Sequence, residues 1–128
     1  MELHIELFVA DLERSRDFYT RVLGFSVVRQ KDDGFTELRR GSAVLALNRL
    51  DILKPGHPAR PAVGERIARG VEVVLVDPEL EATYAHVIAS GWPISTPLTE
   101  QPWGMTDFRV VDPDGCYIRI TAPPPATD

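Results

Sequence analysis

An internal repeat of about 66 residues is the feature that most constrains how this chain can fold. Three helix markers occur in both halves at this separation: an N-capping Asp, an aromatic residue and a helix-ending Gly. They are Asp11, Tyr19 and Gly24 in the first half, and Asp77, Tyr84 and Gly91 in the second. Two copies are too few for a solenoid, which needs at least three stacked repeats. The repeat therefore predicts two similar modules that share one core in a single domain, residues 1–128.

Periodicity predicts the same order of elements, βαβββ, in each module. Residues 2–9 alternate between aliphatic side chains on one side and His4, Glu6 and Phe8 on the other, which is typical of a strand. A helix is expected from the N-cap Asp11 to Gly24, because Gly is favoured just after a helix. The other strands of this module are predicted at residues 25–29, 34–38 and 43–48, separated by turns at residues 31–34 and 39–41.

The second module repeats this order after a connector rich in Pro and Gly. A strand at residues 71–76 precedes a helix with Asp77 as N-cap, Pro78 as its first residue and Gly91 after its end. The helix is expected to bury a stripe made by Leu80, Tyr84, Val87 and Ile88. Its remaining strands are predicted at residues 94–96, 105–111 and 117–121, and Asp112-Pro-Asp-Gly115 is a reverse-turn sequence between the last two.

These elements predict an α+β fold of two tandem βαβββ modules. We expect a concave mixed sheet with the helices on its outer face and the concave face open to a ligand. The predicted boundaries are 1–48 for the first module, 49–69 for the connector, 70–121 for the second module and 122–128 for the tail.

Composition excludes several classes of function. The net charge is -5, from 19 acidic and 14 basic residues, which argues against nucleic acid as a partner. The single cysteine, Cys116, excludes a disulfide framework and favours a structural, buried thiol in a reducing compartment. The sequence shows neither the pattern of a signal peptide nor an apolar run of membrane-spanning length, so a cytoplasmic location is expected.

Aromatic residues on the predicted open face suggest a binding site. Trp103 stands between Pro102 and Gly104, where a large ring can be held at the rim of a sheet, and the first module has no equivalent of it. The same face suits a flat, partly polar ligand held by stacking and cation–π contacts. The candidate ligand-binding residues are His4, Phe8, Phe35, Asn48, His57, Trp103, Met105, Tyr117 and Arg119.

Several of these residues also have ordinary structural interpretations. His4 is either a ligand contact or a histidine hydrogen-bonded near Glu6, and His57 is either a pocket cap or, with more weight, an ordinary loop residue. Phe35 is equally consistent with a position in the hydrophobic core and with a position in the ligand-binding site. Two residues outside the candidate set are interpreted mainly as structural: His86 as a surface residue, and Trp92 as a packing residue equivalent to Phe25.

The sequence resembles the vicinal oxygen chelate superfamily, which includes glyoxalase I, extradiol dioxygenases and bleomycin-resistance proteins. The resemblance spans nearly the whole chain and rests on residues 9–19, 23–25 and 77–87 and on the Asp112-Pro-Asp-Gly115 hairpin. The segment Glu100-Gln-Pro-Trp-Gly104, with Phe108 and Asp112-Pro113 after it, is most similar to the bleomycin-resistance branch. That resemblance implies drug sequestration without chemistry, a homodimer with two clefts, and Trp103 in the drug cleft.

The resemblance also allows a test for metal-dependent chemistry. Metal-dependent members carry four ligands on the inward faces, and the positions here that correspond by register are His4, Ala46, Val71 and Arg119. Only His4 is a metal ligand by type, whereas a catalytic divalent site needs about three protein ligands. We therefore expect no metal, no cofactor and no catalytic residue, and favour a binding protein that sequesters a large planar aromatic antibiotic or metabolite.

Two enzyme functions are kept as alternatives. One is a metal-dependent glyoxalase-like or dioxygenase-like enzyme whose shifted ligand set uses Glu6, His57 or His86. The other is a metal-independent isomerase or lyase with His4 and Glu6 as acid and base. The identity of the ligand, the pairing of modules within or between chains, and the conformation of the connector do not follow from periodicity.

Overall fold

In the computed structural model, which describes residues 1–126, each half of the chain forms a four-stranded mixed sheet with the same strand order. The chain divides into a first unit, Met1–Ile67, and a second unit that begins at Ala68. In the first sheet the order is β1-β4-β3-β2, with β1 Ile5–Val9, β2 Ser26–Gln30, β3 Thr36–Arg40 and β4 Ala43–Arg49. In the second it is β5-β8-β7-β6, with β5 Glu72–Val76, β6 Thr96–Glu100, β7 Thr106–Val111 and β8 Tyr117–Thr121. The predicted α+β fold of two tandem βαβββ modules is confirmed.

The helix of the first unit starts and ends where its sequence signals predict. Helix α1 spans Leu12–Asp17 and continues as a π-helical turn, Phe18–Val22. The Asp11 side chain accepts a hydrogen bond from the Arg14 backbone N–H at 3.1 Å, which satisfies one of the free amides of the first turn. Gly24 follows with a φ of +77°, a conformation that glycine adopts without strain.

Helix α2, Leu80–Ser90, begins two residues later than the N-cap prediction implies, and Asp77 is not its N-cap. The Asp77 carboxylate instead accepts from the backbone N–H of Glu79 at 2.8 Å and from the buried hydroxyl of Thr83. The predicted stripe is also wrong at one position, because Ile88 is half exposed and Thr83 is buried in its place. At the other end, Gly91 takes a left-handed φ of +81°, as predicted.

Two strand boundaries differ from the predictions because pairing, and not local composition, sets them. Strand β6 was expected at residues 94–96 but lies at Thr96–Glu100, where it pairs with β7 across a register irregularity. Pro97 is tolerated there because β6 is an edge strand. The turn expected at residues 39–41 is shorter, since Arg39 and Arg40 belong to β3.

The two sides of each sheet differ in character. Cross-strand pairing puts Leu7, Leu38, Leu45 and Leu47 on one side of the first sheet, where they are buried, and α1 lies against β4. In the second sheet Phe108, Val110, Ile118 and Ile120 form the buried side. The Tyr84 ring of α2 packs edge-on against Phe108, with ring centroids 4.9 Å apart. The opposite side of the first sheet carries Glu6, Glu37 and Asn48, and that of the second sheet carries Glu72, Arg109 and Arg119.

The β7–β8 hairpin closes the second unit with the predicted turn. Gly115 N–H donates to the Asp112 carbonyl at 3.1 Å, and the Asp112 carboxylate accepts from the amides of Asp114 and Cys116 at 3.0 and 2.7 Å. Cys116 is buried, as expected. Trp92 has the expected packing role, because its indole Nε1–H donates to the Val111 carbonyl at 2.9 Å.

The helices of residues 1–126 are all too short or too polar to cross a membrane.

Candidate ligand-binding site

The side of the second sheet opposite α2 carries a charged cluster that we call the arginine face, defined by Glu72, Asp107, Arg109, Tyr117 and Arg119. Strand pairing brings these side chains together. Arg109 and Arg119 are direct cross-strand partners on β7 and β8, and Glu72 and Tyr117 are direct partners on β5 and β8. Direct partners have Cβ atoms about 5 Å apart and share one face of a sheet.

Asp107 is the buried anion of this face, with no exposed surface. Its Oδ1 accepts hydrogen bonds from Gln101 Nε2 at 2.9 Å and from Arg109 Nη1 at 3.4 Å. Its Oδ2 lies 3.9 Å from Arg119 Nη1, which is an ion-pair distance but not a hydrogen bond. A buried carboxylate is costly unless charge and hydrogen bonds compensate it, and two guanidinium groups supply the charge here.

Glu72 is the second anion, and it joins the two arginines. Its Oε1 lies 3.1 Å from Arg109 Nε and 3.4 Å from Arg119 Nε. The Arg109 guanidinium also lies 6.0 Å from the centroid of the Tyr117 ring. Two carboxylates and two guanidinium groups therefore balance in charge, and the face presents Tyr117 and the partly exposed Arg119 to its surroundings.

Trp103 lies at the tip of the β6–β7 hairpin. The tip turn, residues 101–105, is closed by Gln101 N–H donating to the Met105 carbonyl at 2.7 Å and Gly104 N–H donating to the Gln101 carbonyl at 2.9 Å. Gly104 has a φ of +87°, which permits this tight turn. Trp103 is 58% exposed. Because the Gln101 side chain also donates to Asp107, the tip turn is tied directly to the arginine face.

Met105 directly precedes β7 and is expected on the same side as Asp107 and Arg109. Every second residue of a strand points to the same face. Of the nine candidate residues, the structure therefore places Trp103, Met105, Tyr117 and Arg119 in the second unit, with the last three on one face and Trp103 at its hairpin tip.

The other candidates lie in the first unit, where Phe8 and Asn48 are direct cross-strand partners on the polar side of the sheet. Asn48 Nδ2 donates to Glu6 Oε1 at 3.3 Å. His4, just before β1, has Nε2 3.3 Å from Glu2 Oε1, with 46% of its side chain exposed. The carboxylate beside His4 is thus Glu2, whereas the sequence suggested Glu6.

Phe35 precedes β3 with its ring between two cations. The Arg29 guanidinium and the Lys31 ammonium lie 5.6 and 5.3 Å from the ring centroid. Cations at these distances are attracted to the ring face, so part of the stacking surface of Phe35 is already used within the protein.

The remaining histidines make local contacts. His57 is exposed in the connector, and its Nδ1 accepts from the Ala59 N–H at 3.0 Å, as in an ordinary loop turn. His86 lies on the exposed surface of α2, as expected.

Sequence reasoning missed four residues of the charged cluster: Glu72, Gln101, Asp107 and Arg109. Residues 108–111 are mostly apolar and predict a buried strand, although Asp107 precedes this segment and Arg109 lies within it. The available signal was alternation, because Met105, Asp107 and Arg109 stand at every second position beside the apolar Phe108 and Val110.

The residues present do not fit a divalent metal. Ala46 is buried and has no ligand atom in its side chain, and the positive charge of Arg119 on the arginine face repels a cation. Val71 precedes β5 and has the parity of Val73 on the buried side, so the residues that share the face of Arg119 are Glu72 and Val74. Within residues 1–126, no three His, Cys, Asp or Glu side chains are grouped so that they could hold a metal ion.

Two comparisons with known proteins bear on the family of this chain. The family model for the Glyoxalase/Bleomycin resistance protein/Dioxygenase superfamily matches residues 3–120. The comparison with curated proteins finds no match.

Solved structures similar to this chain differ in what their names describe. TioX from Micromonospora sp. ML1 is 24% identical with a TM-score of 0.74, over 95% of this chain and 98% of that one. The integron cassette protein VCH_CASS1 from the mobile metagenome of V. cholerae is 26% identical with a TM-score of 0.67, over 95% and 94%. Lactoylglutathione lyase from Agrobacterium tumefaciens is 18% identical with a TM-score of 0.72, over 95% and 92%.

Proposed function

This chain belongs to the Glyoxalase/Bleomycin resistance protein/Dioxygenase superfamily, and from that premise we propose that it is a metal-free binding protein that sequesters a planar aromatic antibiotic or metabolite. The superfamily name covers both enzymes and resistance proteins, so the choice between them depends on this chain's own residues. The proposed function is closest in kind to the bleomycin-resistance branch, which the tip-turn sequence Glu100-Gln-Pro-Trp-Gly104 resembles.

The observation that carries the proposal is the pair Arg109 and Arg119 on the arginine face of the second sheet. Both guanidinium groups lie within 3.4 Å of the same Glu72 oxygen. A divalent ion at this position would have to displace two cations from the carboxylates they neutralise, and Coulomb repulsion opposes its approach. Catalysis that depends on a metal at the register position of Arg119 is therefore disfavoured.

Aromatic recognition is supported by Trp103 and Tyr117. An indole that is 58% exposed on a hydrogen-bonded turn offers a stacking surface at little conformational cost, because the turn is already ordered. Tyr117 adds a second ring on the arginine face, and Arg119 adds a guanidinium group suited to π-faces.

The proposal is tested by fluorescence titration with planar aromatic antibiotics, using the wild type and the single-tryptophan variants Trp103→Phe and Trp92→Phe. Ligand binding at Trp103 predicts quenching that persists in Trp92→Phe and disappears in Trp103→Phe. Equal quenching in the two variants, or none with any compound that calorimetry shows to bind, would contradict a site at Trp103.

The contacts of His4 do not favour acid–base catalysis. Its imidazole pairs with Glu2, while Glu6 accepts from Asn48, so the two groups that the enzyme alternative needs have separate partners. Recovery of the ligand unchanged after prolonged incubation, measured by mass spectrometry, is the expected result for sequestration. A stoichiometric product would establish an enzyme instead.

The proposal includes a homodimer and a cytoplasmic location. Val74 and Val76 on β5 are exposed in the single chain, and apolar side chains of this kind are more stable when a partner covers them. Sedimentation equilibrium at micromolar concentration measures the mass directly. A monomer at all concentrations would remove the dimer from the proposal but would leave the binding function intact.

A further inference from the structure

Two buried polar atoms of the arginine face have no hydrogen-bond partner in the described part of the chain: Asp107 Oδ2 and Arg119 Nε. The first is an acceptor and the second a donor. Buried side-chain atoms nearly always have a partner, so a pair that lacks one calls for a specific explanation.

The two atoms belong to side chains in contact. Arg119 Nη1 is 3.9 Å from Asp107 Oδ2, and Arg119 Nε is 3.4 Å from Glu72 Oε1. Neither contact has the geometry of a hydrogen bond, so both are ion pairs. Arg119 is therefore held near Asp107 by charge attraction and not by a hydrogen bond.

The two side chains differ in how firmly they are held. Asp107 is buried and anchored through its other oxygen by Gln101 and Arg109. Arg119 is 26% exposed, and within residues 1–126 it is held through its ion pairs with Glu72 and Asp107. An outward rotation of the Arg119 guanidinium would break neither hydrogen bond of Asp107, because Gln101 and Arg109 make both of them.

We propose that the arginine face recognises a lactam-like group, meaning an N–H donor and a carbonyl acceptor on adjacent atoms, with the N–H donating to Asp107 Oδ2 and the carbonyl accepting from Arg119 Nε. This rests on the proposed function, since the group must be part of the planar ligand. It narrows the ligand to cyclic amides, imides and related heteroaromatic lactams.

Other polar groups match this pair less well. A carboxylate offers acceptors only and would be repelled by Asp107, whereas an ammonium group offers donors only and would be repelled by Arg119. A ketone would satisfy Arg119 and leave Asp107 Oδ2 buried without a partner. Sites built to bind an N–H reject analogues that lack it, because a buried polar group is then left unpaired.

The matched probes are 2-quinolone, which has the N–H and carbonyl edge, and N-methyl-2-quinolone, which lacks the donor. Calorimetric titration of the wild type should show that 2-quinolone binds at least about tenfold more tightly. In Asp107→Asn the amide can present its own N–H to the ligand, so the ratio should fall to about one. A ratio near one in the wild type overturns the inference.

Arg119→Met provides a second variant, because Asp107→Asn alters a buried group and can unfold the protein. Arg119→Met removes the guanidinium at a partly exposed position, and 2-quinolone should bind at least about fivefold more weakly to it. Unchanged affinity for 2-quinolone in Arg119→Met also overturns the inference.

The proposed function and this inference fail in different ways. If both quinolones bind equally and both lose affinity in Trp103→Ala, aromatic binding stands and the lactam site is wrong. If their discrimination persists in Trp103→Ala with no loss of affinity, the arginine face recognises lactams without the proposed stacking.

Discussion

Arg109 and Arg119 are directly opposite each other on β7 and β8, and the Nε atoms of both lie within 3.4 Å of one oxygen of Glu72. Like charges placed directly across strands destabilise a sheet unless an opposite charge intervenes. Glu72 supplies that charge from β5, and Asp107 supplies a second one from the interior. The face is thus an electrostatic unit made from three strands.

A first prediction concerns metal ions. Protein incubated with excess Zn²⁺, Ni²⁺ or Mn²⁺ and then dialysed should retain much less than one ion per chain, and its thermal midpoint should not rise, because only an ion that binds the native state stabilises it. Elemental analysis and differential scanning fluorimetry measure the two quantities. One retained divalent ion per chain would contradict the metal-free assignment.

A second prediction concerns the Glu72 carboxylate, which contacts both Arg109 and Arg119. Glu72→Gln leaves two adjacent guanidinium groups with one fewer counter-charge and should lower the free energy of unfolding by about 1 kcal/mol. Added salt should reduce this difference, because ions screen repulsion between partly exposed charges. Urea denaturation at low and high salt measures it, with Glu81→Gln on the exposed surface of α2 as the control. A salt-independent loss would indicate packing and not charge.

A third prediction concerns Trp103. Trp103→Ala should weaken binding of a stacked aromatic ligand by at least about 1 kcal/mol, or roughly fivefold in Kd, while leaving stability nearly unchanged because the ring is mostly exposed. Calorimetric titration and urea denaturation separate the two effects. Trp92→Phe should lower stability and leave the Kd nearly unchanged, since it removes the hydrogen bond to the Val111 carbonyl. An unchanged Kd in Trp103→Ala would exclude the ring from the site.

A fourth prediction tests the buried hydrogen bond between Thr83 and Asp77 near the start of α2. Thr83→Val keeps the shape of the side chain but removes the hydroxyl that donates to the buried Asp77 carboxylate, and it should cost about 1–3 kcal/mol of stability. Thr99→Val, at an exposed position on β6, is the matched control and should change stability by less than about 0.5 kcal/mol. Equal effects of the two changes would show that the Asp77 contact contributes little.

Local signals predicted the fold well wherever the determining residues are neighbours in sequence. The Asp112-Pro-Asp-Gly115 turn follows from the fixed φ of proline and the permissive φ of glycine, and the end of each helix follows from Gly24 and Gly91. The start of α2 was misplaced because Asp77 bonds to Thr83, six residues away, and N-cap rules do not anticipate this contact. Strand β6 was misplaced because its limits are set by pairing with β7.

The candidate site could be predicted only in part for a similar reason. Alternation assigned Tyr117 and Arg119 to the side of β8 away from α2, where they lie. It could not show that Glu72, Asp107 and Arg109 converge there, because the three residues are on two strands far apart in sequence. Their convergence is a property of the β5-β8-β7 strand order, which emerges only when the sheet forms.

The Gln101–Asp107 hydrogen bond has a consequence for how this protein can diversify. Gln101 ties the tip turn to the sheet and Gly104 supplies its positive φ, so Pro102 and Trp103 can change without altering either of these anchors. Selection acting on those two positions would modify ligand preference while Gln101 and Gly104 preserve the shape of the hairpin. Libraries randomised at Pro102 and Trp103, with Gly104 kept, therefore offer a direct route to variants with new specificity.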